Sequence, residues 1–145
     1  IIQYEYIKNA SNLNQFIENN INDKNLIKDI FKRLARGIQT MNKKGLIHRD
    51  INPENILLKK NESNIFDIYI IDFSFMVGVN NERFKELDIS ESKKFLKYLG
   101  SGNKPSNFKW DDIYSLYCLT YRILGSEANQ IADWKNLINQ YTYAR

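Results

Sequence analysis

Between residues 26 and 41 apolar side chains return every three or four positions: Leu26, Ile27, Ile30, Phe31, Leu34, Ala35, Ile38 and Met41. That spacing predicts an amphipathic helix of about five turns over residues 24 to 43. Such a helix draws most of its stability from packing, so it commits the chain to a core laid against the apolar stripe. Asn22 or Asp23 can cap its start. Lys43 and Lys44 suit the negative end of the helix, and Gly45 accepts a left-handed cap. The 145 residues are enough for one domain, and a domain of this size buries about 68–70% of its unfolded surface.

The rest of the chain supplies partners for that stripe. Residues 1 to 7 read as a short strand, KNASN as a polar break and LNQFIEN as a short helix. LIHRDINPEN, with Pro53, reads as a loop. ILLKK, the polar turn NESN and IFDIYIID then read as a β-hairpin. Residues 88 to 99 can be helical, with Asp88 and Glu91 spaced like a capping box. GSGNKPSN is a loop. DDIYSLYCLTYRILG begins at Asp111 or Asp112 and ends at Gly125, both proper helix signals. Its interior is apolar nearly all round, which predicts a central, buried helix. Residues 128 to 143 form a weaker helical pattern.

Charge and cysteine content exclude several roles. The net charge is +4, but the lysines stand in scattered pairs with acids between them. A continuous basic stripe for nucleic acid is missing. One cysteine, Cys118, can build neither a disulfide framework nor a metal site. No apolar run approaches the ~20 residues of a membrane span. These features point to a reducing, cytoplasmic setting without nucleic acid or membrane. The chain opens at Ile1 in mid-strand, so it reads as a fragment.

The chemistry concentrates in HRDINPENILL and IYIIDFS. A hairpin brings its outer ends together, so Asp50 and Asn55, before its first strand, can meet Asp72, after its second. Two carboxylates and a carboxamide are all oxygen donors, which suits magnesium shared with phosphates. A carboxylate outside that set can orient a hydroxyl and accept its proton. Each of these residues alone is explained better by a turn or by packing. Together they suggest phosphoryl transfer from a nucleotide.

HRD, an asparagine five residues after its aspartate, and an apolar strand ending in Asp-Phe resemble the catalytic core of the eukaryotic-type protein kinase family. The resemblance runs over roughly residues 1 to 125 and implies an α+β, mainly α-helical fold. That fold would be a protein kinase-like C-lobe whose short β-hairpin carries the catalytic and metal-binding loops. Residues 1–12 would be hinge strand and linker, and 13–145 a partial C-lobe. Within it would lie a catalytic loop at 48–55, a metal-binding loop at 72–74, an activation segment at 72–107 and a central helix at 111–124.

The resemblance also implies roles. Asp50 would be the base, within a catalytic loop that includes His48, Arg49 and Asn52. His48 would pack beneath the loop near Phe73, and Arg49 would face a phosphate or acid of the activation segment. Asn55 and Asp72 would hold Mg2+ on the phosphates of ATP. Tyr4, the backbone of Glu5 and Ile7, and Leu57 would line the adenine site. Asp112 would bond the backbone around His48 and Arg49, and Ser101 would contact Asp50.

The pattern also has departures. Ser74 replaces a glycine, Asn52 replaces a lysine near the transferring phosphate, Tyr117 replaces a helix glycine, and KPSN is at most a remnant of Ala-Pro-Glu. No glycine-rich loop, strand lysine or partner glutamate precedes Tyr4 in these residues, so the N-lobe would come from the rest of the chain or from a partner. The leading expectation is an ATP-dependent protein kinase acting on a protein hydroxyl, serine or threonine, nearly inactive as this fragment. Ser90, Ser92 and Ser101 are candidate phosphosites. The alternatives are a pseudokinase scaffold and a small-molecule phosphotransferase of the aminoglycoside or choline kinase type.

Overall fold

The long helix starts where Asp23 can satisfy its free amides: the Asp23 carboxylate accepts from Leu26 N at 3.1 Å. In the computed structural model, which describes residues 7–73, 77–78 and 111–138, this helix is α2 (Lys24–Lys43). Gly45, at φ 87°, ends it and bonds back to the Asn42 carbonyl. Ile27, Ile30, Phe31, Leu34, Ala35 and Ile38 are buried. Each fully buried Ile, Leu or Phe among them contributes about 1.5–3 kcal/mol.

Before it come β1 (Ser11–Asn12) and α1 (Leu13–Asn19). Asn12 and Gln15 close a reciprocal capping box on α1 at 2.9 and 3.0 Å. β2 (Leu46–Ile47) follows α2, and a 3₁₀ turn (Pro53–Asn55) leads into the hairpin β3 (Ile56–Lys60) and β4 (Phe66–Ile70). Asn61 shapes the hairpin turn by accepting from Ser63 N and Ile65 N. β5 is Val77–Gly78. One antiparallel sheet has the order β1-β3-β4, and β2 pairs with β5 in another. Phe16 of α1 meets Phe66 of β4 edge to face at 4.9 Å, which ties helix to hairpin.

The second large helix is α3 (Asp112–Leu124), capped by Asp111, whose carboxylate accepts from Tyr114 N at 3.0 Å. It packs on α2, with Ile113, Leu116 and Leu119 in the shared core. A 3₁₀ stretch (Gly125–Gln130) and α4 (Trp134–Leu137) follow. No helix among the described residues is long and apolar enough to cross a membrane.

The architecture is helix-rich with small antiparallel sheets. It corrects the sequence reading in four places. Ser11 and Asn12, read as part of a polar break, pair with Leu58 and Leu57. Leu46 and Ile47, read as loop, pair with Gly78 and Val77. Two-residue strands carry no alternation to detect, because their pairing is made by backbone alone. α3 is buried on one side only: Tyr121 is 50% exposed, and Cys118 and Arg122 are exposed as well. Tyr scores as apolar in a pattern yet keeps its polar tip in water, and Arg brings a charged head that stays solvated. The tail is not one helix, because Trp134 folds back to donate its indole N–H to the Ala128 carbonyl at 2.8 Å. The expected strand at 1 to 7, apart from Ile7, and the expected helix at 88 to 99 lie outside the described residues.

Candidate active site

His48 leaves β2 fully buried. Its Nε2 lies 2.8 Å from the Ile71 carbonyl, and its Nδ1 lies 3.1 Å from Asp50 N–H. A carbonyl can only accept and an amide N–H only donate, so the ring is the neutral tautomer with its proton on Nε2. Both nitrogens are committed to backbone, which makes His48 a splint. The Phe73 ring meets it edge-on at 5.3 Å.

Asp50 is 7% exposed. Its Oδ1 accepts from Asn52 Nδ2 and its Oδ2 from Asn55 Nδ2, each at 2.9 Å. The carboxylate fixes the orientation of both amides, since only their nitrogens can face it. Asn55 Nδ2 also donates to the Asp50 carbonyl at 2.9 Å, so Oδ1 is the atom of Asn55 that could ligate a metal. Asn52 Oδ1 caps the 3₁₀ turn, accepting from Glu54 N at 2.9 Å and Asn55 N at 3.2 Å. Pro53 stands at the first position of that turn, where a missing N–H costs nothing.

Asp72 reaches this loop through its neighbour. Ile71 N–H donates to the Asn55 carbonyl at 2.9 Å while the Ile71 carbonyl accepts from His48. Both backbone groups of Ile71 are thereby bound to the 48–55 loop. Half-buried Asp72 follows at φ 60°, in the left-handed region. Arg49 sits there too, at φ 72°. Such angles cost of order 1–3 kcal/mol each and persist where surrounding bonds over-determine them.

The bonds around Arg49 come from α3. Asp112, 1% exposed, accepts from His48 N at 2.8 Å and Asn42 Nδ2 at 2.9 Å on Oδ2, and from Arg49 N at 2.9 Å on Oδ1. Asn42 also donates to the Leu46 carbonyl at 2.9 Å, and its buried Oδ1 has no partner. The sequence reading passed over Asn42. The signal was present, because Asn42 stands four residues after Ile38 on the buried stripe, where a polar side chain needs a reason.

His48, Arg49, Asp50, Asn52, Asn55, Asp72, Phe73 and Asp112 therefore converge. Leu57 and Ile7 are half-buried, Leu57 on β3 and Ile7 at the first described position. Tyr4, Glu5, Ser74, Ser90, Ser92 and Ser101 lie outside the described residues. No cluster of three or more His, Cys, Asp or Glu among the described residues could hold a metal by itself. The Asn55 amide oxygen and the Asp72 carboxylate would make an incomplete, all-oxygen donor set. That fits Mg2+, which keeps waters and shares its shell with phosphates.

A family model described as protein kinase domain matches residues 1–136. The chain belongs to the protein kinase domain family. A Dictyostelium discoideum protein named as a probable serine/threonine-protein kinase is 33% identical over 128 residues, covering 79% of this chain and 19% of its own length. The serine/threonine-protein kinase shk1/pak1 of Schizosaccharomyces pombe is 27% identical over 123 residues, covering 85% of this chain and 18% of its own. CAK1 of Saccharomyces cerevisiae, a serine/threonine-protein kinase, is 34% identical over 64 residues, covering 43% of this chain and 17% of its own. This protein kinase domain chain thus spans about a fifth of the length of these relatives.

Proposed function

We propose that this chain carries the phosphate-transfer side of an ATP-dependent protein kinase acting on a serine or threonine hydroxyl. The observation that carries the reading is the state of Asp50. Two neutral amides hold its carboxylate, one on each oxygen, so its orientation is set before substrate arrives. A carboxylate oxygen has more than one acceptor site, so Asp50 can still take a hydrogen bond from an incoming hydroxyl. It aligns that oxygen for attack on the γ-phosphorus and receives the proton as the new P–O bond forms and the bond to the ADP leaving oxygen breaks.

Asn55 Oδ1 and Asp72 would hold Mg2+, which when bound neutralises charge on the phosphates. Leu57, Ile7, Tyr4 and Glu5 would contact the adenine. Asn52, in place of a lysine, gives the transferring phosphate no positive charge. Residues 1–12 would serve as hinge and linker, 13–145 as a partial C-lobe, with 48–55 as its catalytic loop. The upper half of the nucleotide site would come from other residues of a longer protein or from a partner. A cytoplasmic setting goes with ATP use and with Cys118, a free, exposed thiol.

The test compares wild type, Asp50→Ala and Asp72→Asn in a protein that includes an N-lobe. Asp50→Ala should keep Mg2+-dependent nucleotide binding and lose transfer by about 10²–10⁴-fold. Asp72→Asn should lose the Mg2+-dependent binding itself. Equal transfer by wild type and Asp50→Ala would remove Asp50 from the chemistry.

A further inference from the structure

Beside Asp50 lies a cleft that phosphate transfer does not use. Ile51, Asn52 and Pro53 form one wall, Ser115, Cys118, Leu119 and Arg122 the other, and it encloses about 210 Å³. The α3 positions recur at three and four, so they make one strip along the helix. Small-molecule sites run to roughly 300–1,000 Å³. This cleft is smaller and suits one side chain of a larger partner. Asn52 is common to the cleft and to Asp50, whose carboxylate it contacts at 2.9 Å. Among the described residues lining the cleft, Arg122 carries the only charge.

We propose, resting on the protein kinase reading, that Arg122 determines specificity by selecting substrates with an aspartate or glutamate close in sequence to the accepting hydroxyl. A substrate whose hydroxyl reaches Asp50 lays its neighbouring residues across the adjoining surface. An extended chain advances about 3.3 Å per residue, so a cleft one side chain away from Asp50 receives a residue within about three positions of the acceptor. A carboxylate there meets a guanidinium, whose planar fork matches it with two parallel hydrogen bonds. Partial enclosure strengthens that pair relative to one in open water. A substrate lysine or arginine at the same position meets a like charge instead, so the cleft both attracts acids and rejects bases. The chain's net charge of +4 steers acidic segments in the same direction.

A positional-scanning peptide library phosphorylated by the full-length protein tests this, with wild type, Arg122→Gln and Arg122→Glu compared. Wild type should favour Asp or Glu over Lys or Arg at one position near the acceptor by roughly tenfold. Arg122→Gln should flatten that preference and Arg122→Glu should invert it, with the change falling on KM for the acidic peptide. Arg122 is exposed, so neither variant empties the core, and circular dichroism verifies folding. Transfer that lacks an acidic preference, or keeps it in Arg122→Glu, overturns the inference and leaves the kinase reading standing. Absence of transfer from wild type to every peptide overturns the kinase reading, and this inference with it.

Discussion

Asp112 connects three parts of the molecule through one side chain: the end of α2 at Asn42, the loop at His48 and Arg49, and its own helix. Removing the carboxylate takes the acceptor from the His48 and Arg49 amides, while Asn42 Nδ2 keeps the Leu46 carbonyl, and each buried donor left unsatisfied costs about 1–3 kcal/mol. Asp112→Ala should therefore lose at least about 2 kcal/mol, read as a lower urea midpoint with an unchanged slope. A loss within error would show that water replaces Asp112 freely. Asn52 makes a subtler case. The family resemblance implies a lysine lost here, whereas the Asn52 oxygen caps the 3₁₀ turn and its nitrogen holds Asp50. Lysine cannot accept, so Asn52→Lys should destabilise by about 0.5–2 kcal/mol, the usual cost of a lost cap. A gain in stability would refute that view of the turn. These two residues also differ in how far sequence exposes them. The bonds of Asp112 to the loop were expected through family resemblance, because bonds across 63 and 64 positions leave no local period. The hydrogen bonds of Asn52 span only two and three positions. An asparagine directly before Pro53 is a local cap signal, carried by its donors and acceptors and invisible to its charge.

Among the elements, those with a strong period or a cap chemistry were legible. α2 begins and ends where Asp23 and Gly45 place it, and Ile56–Lys60 forms the first strand of the expected hairpin. What sequence did not reveal was structure made by backbone pairing over two residues, or by a distant anchor such as Trp134 on Ala128. The 125–130 stretch has another tether that sequence distance hides. Glu127 accepts from Lys24 at 3.1 Å and from Lys28 at 3.2 Å, clipping it to the first turns of α2. Lys24, and after it Lys28, hold the Glu127 carboxyl below its ordinary value of 4.5. A group whose pKa is lower folded than unfolded contributes stability above the unfolded value and loses it as pH falls through the folded one. Glu127→Gln should thus lower Tm slightly near neutral pH, and the difference from wild type should fade as pH drops below the usual carboxylate range. Concentrated salt should shrink it too, since the pair is at the surface. A difference that persisted in acid would mean that Glu127 acts through packing and not through charge.

At the scale of the whole molecule, the candidate site sits between two bodies. Asp112 fastens the 48–55 loop to the α2–α3 core, and Ile71 fastens the same loop to the hairpin. Asp50, Asn55 and Asp72 are therefore positioned by the fold, which on the proposed reading would preorganise one side of a phosphate site. One side is not enough for rapid transfer. Charge that develops on the phosphates needs stabilisers from more than one direction, and losing a single preorganised donor typically costs 10²–10³ in rate. Asn52 brings no such charge, and the 145 residues contain neither a glycine-rich loop nor a strand lysine ahead of Tyr4. The isolated 145-residue chain should then transfer phosphate at least about 10²–10³-fold more slowly than the same residues joined to a kinase N-lobe. Nucleotide binding by the isolated chain should be weaker as well, because an open site leaves the phosphates in water. The two proteins would be assayed side by side at equal Mg2+, ATP and peptide. Equal rates would mean that Asp50, Asn55 and Asp72 suffice alone, and the requirement for an upper half would be wrong.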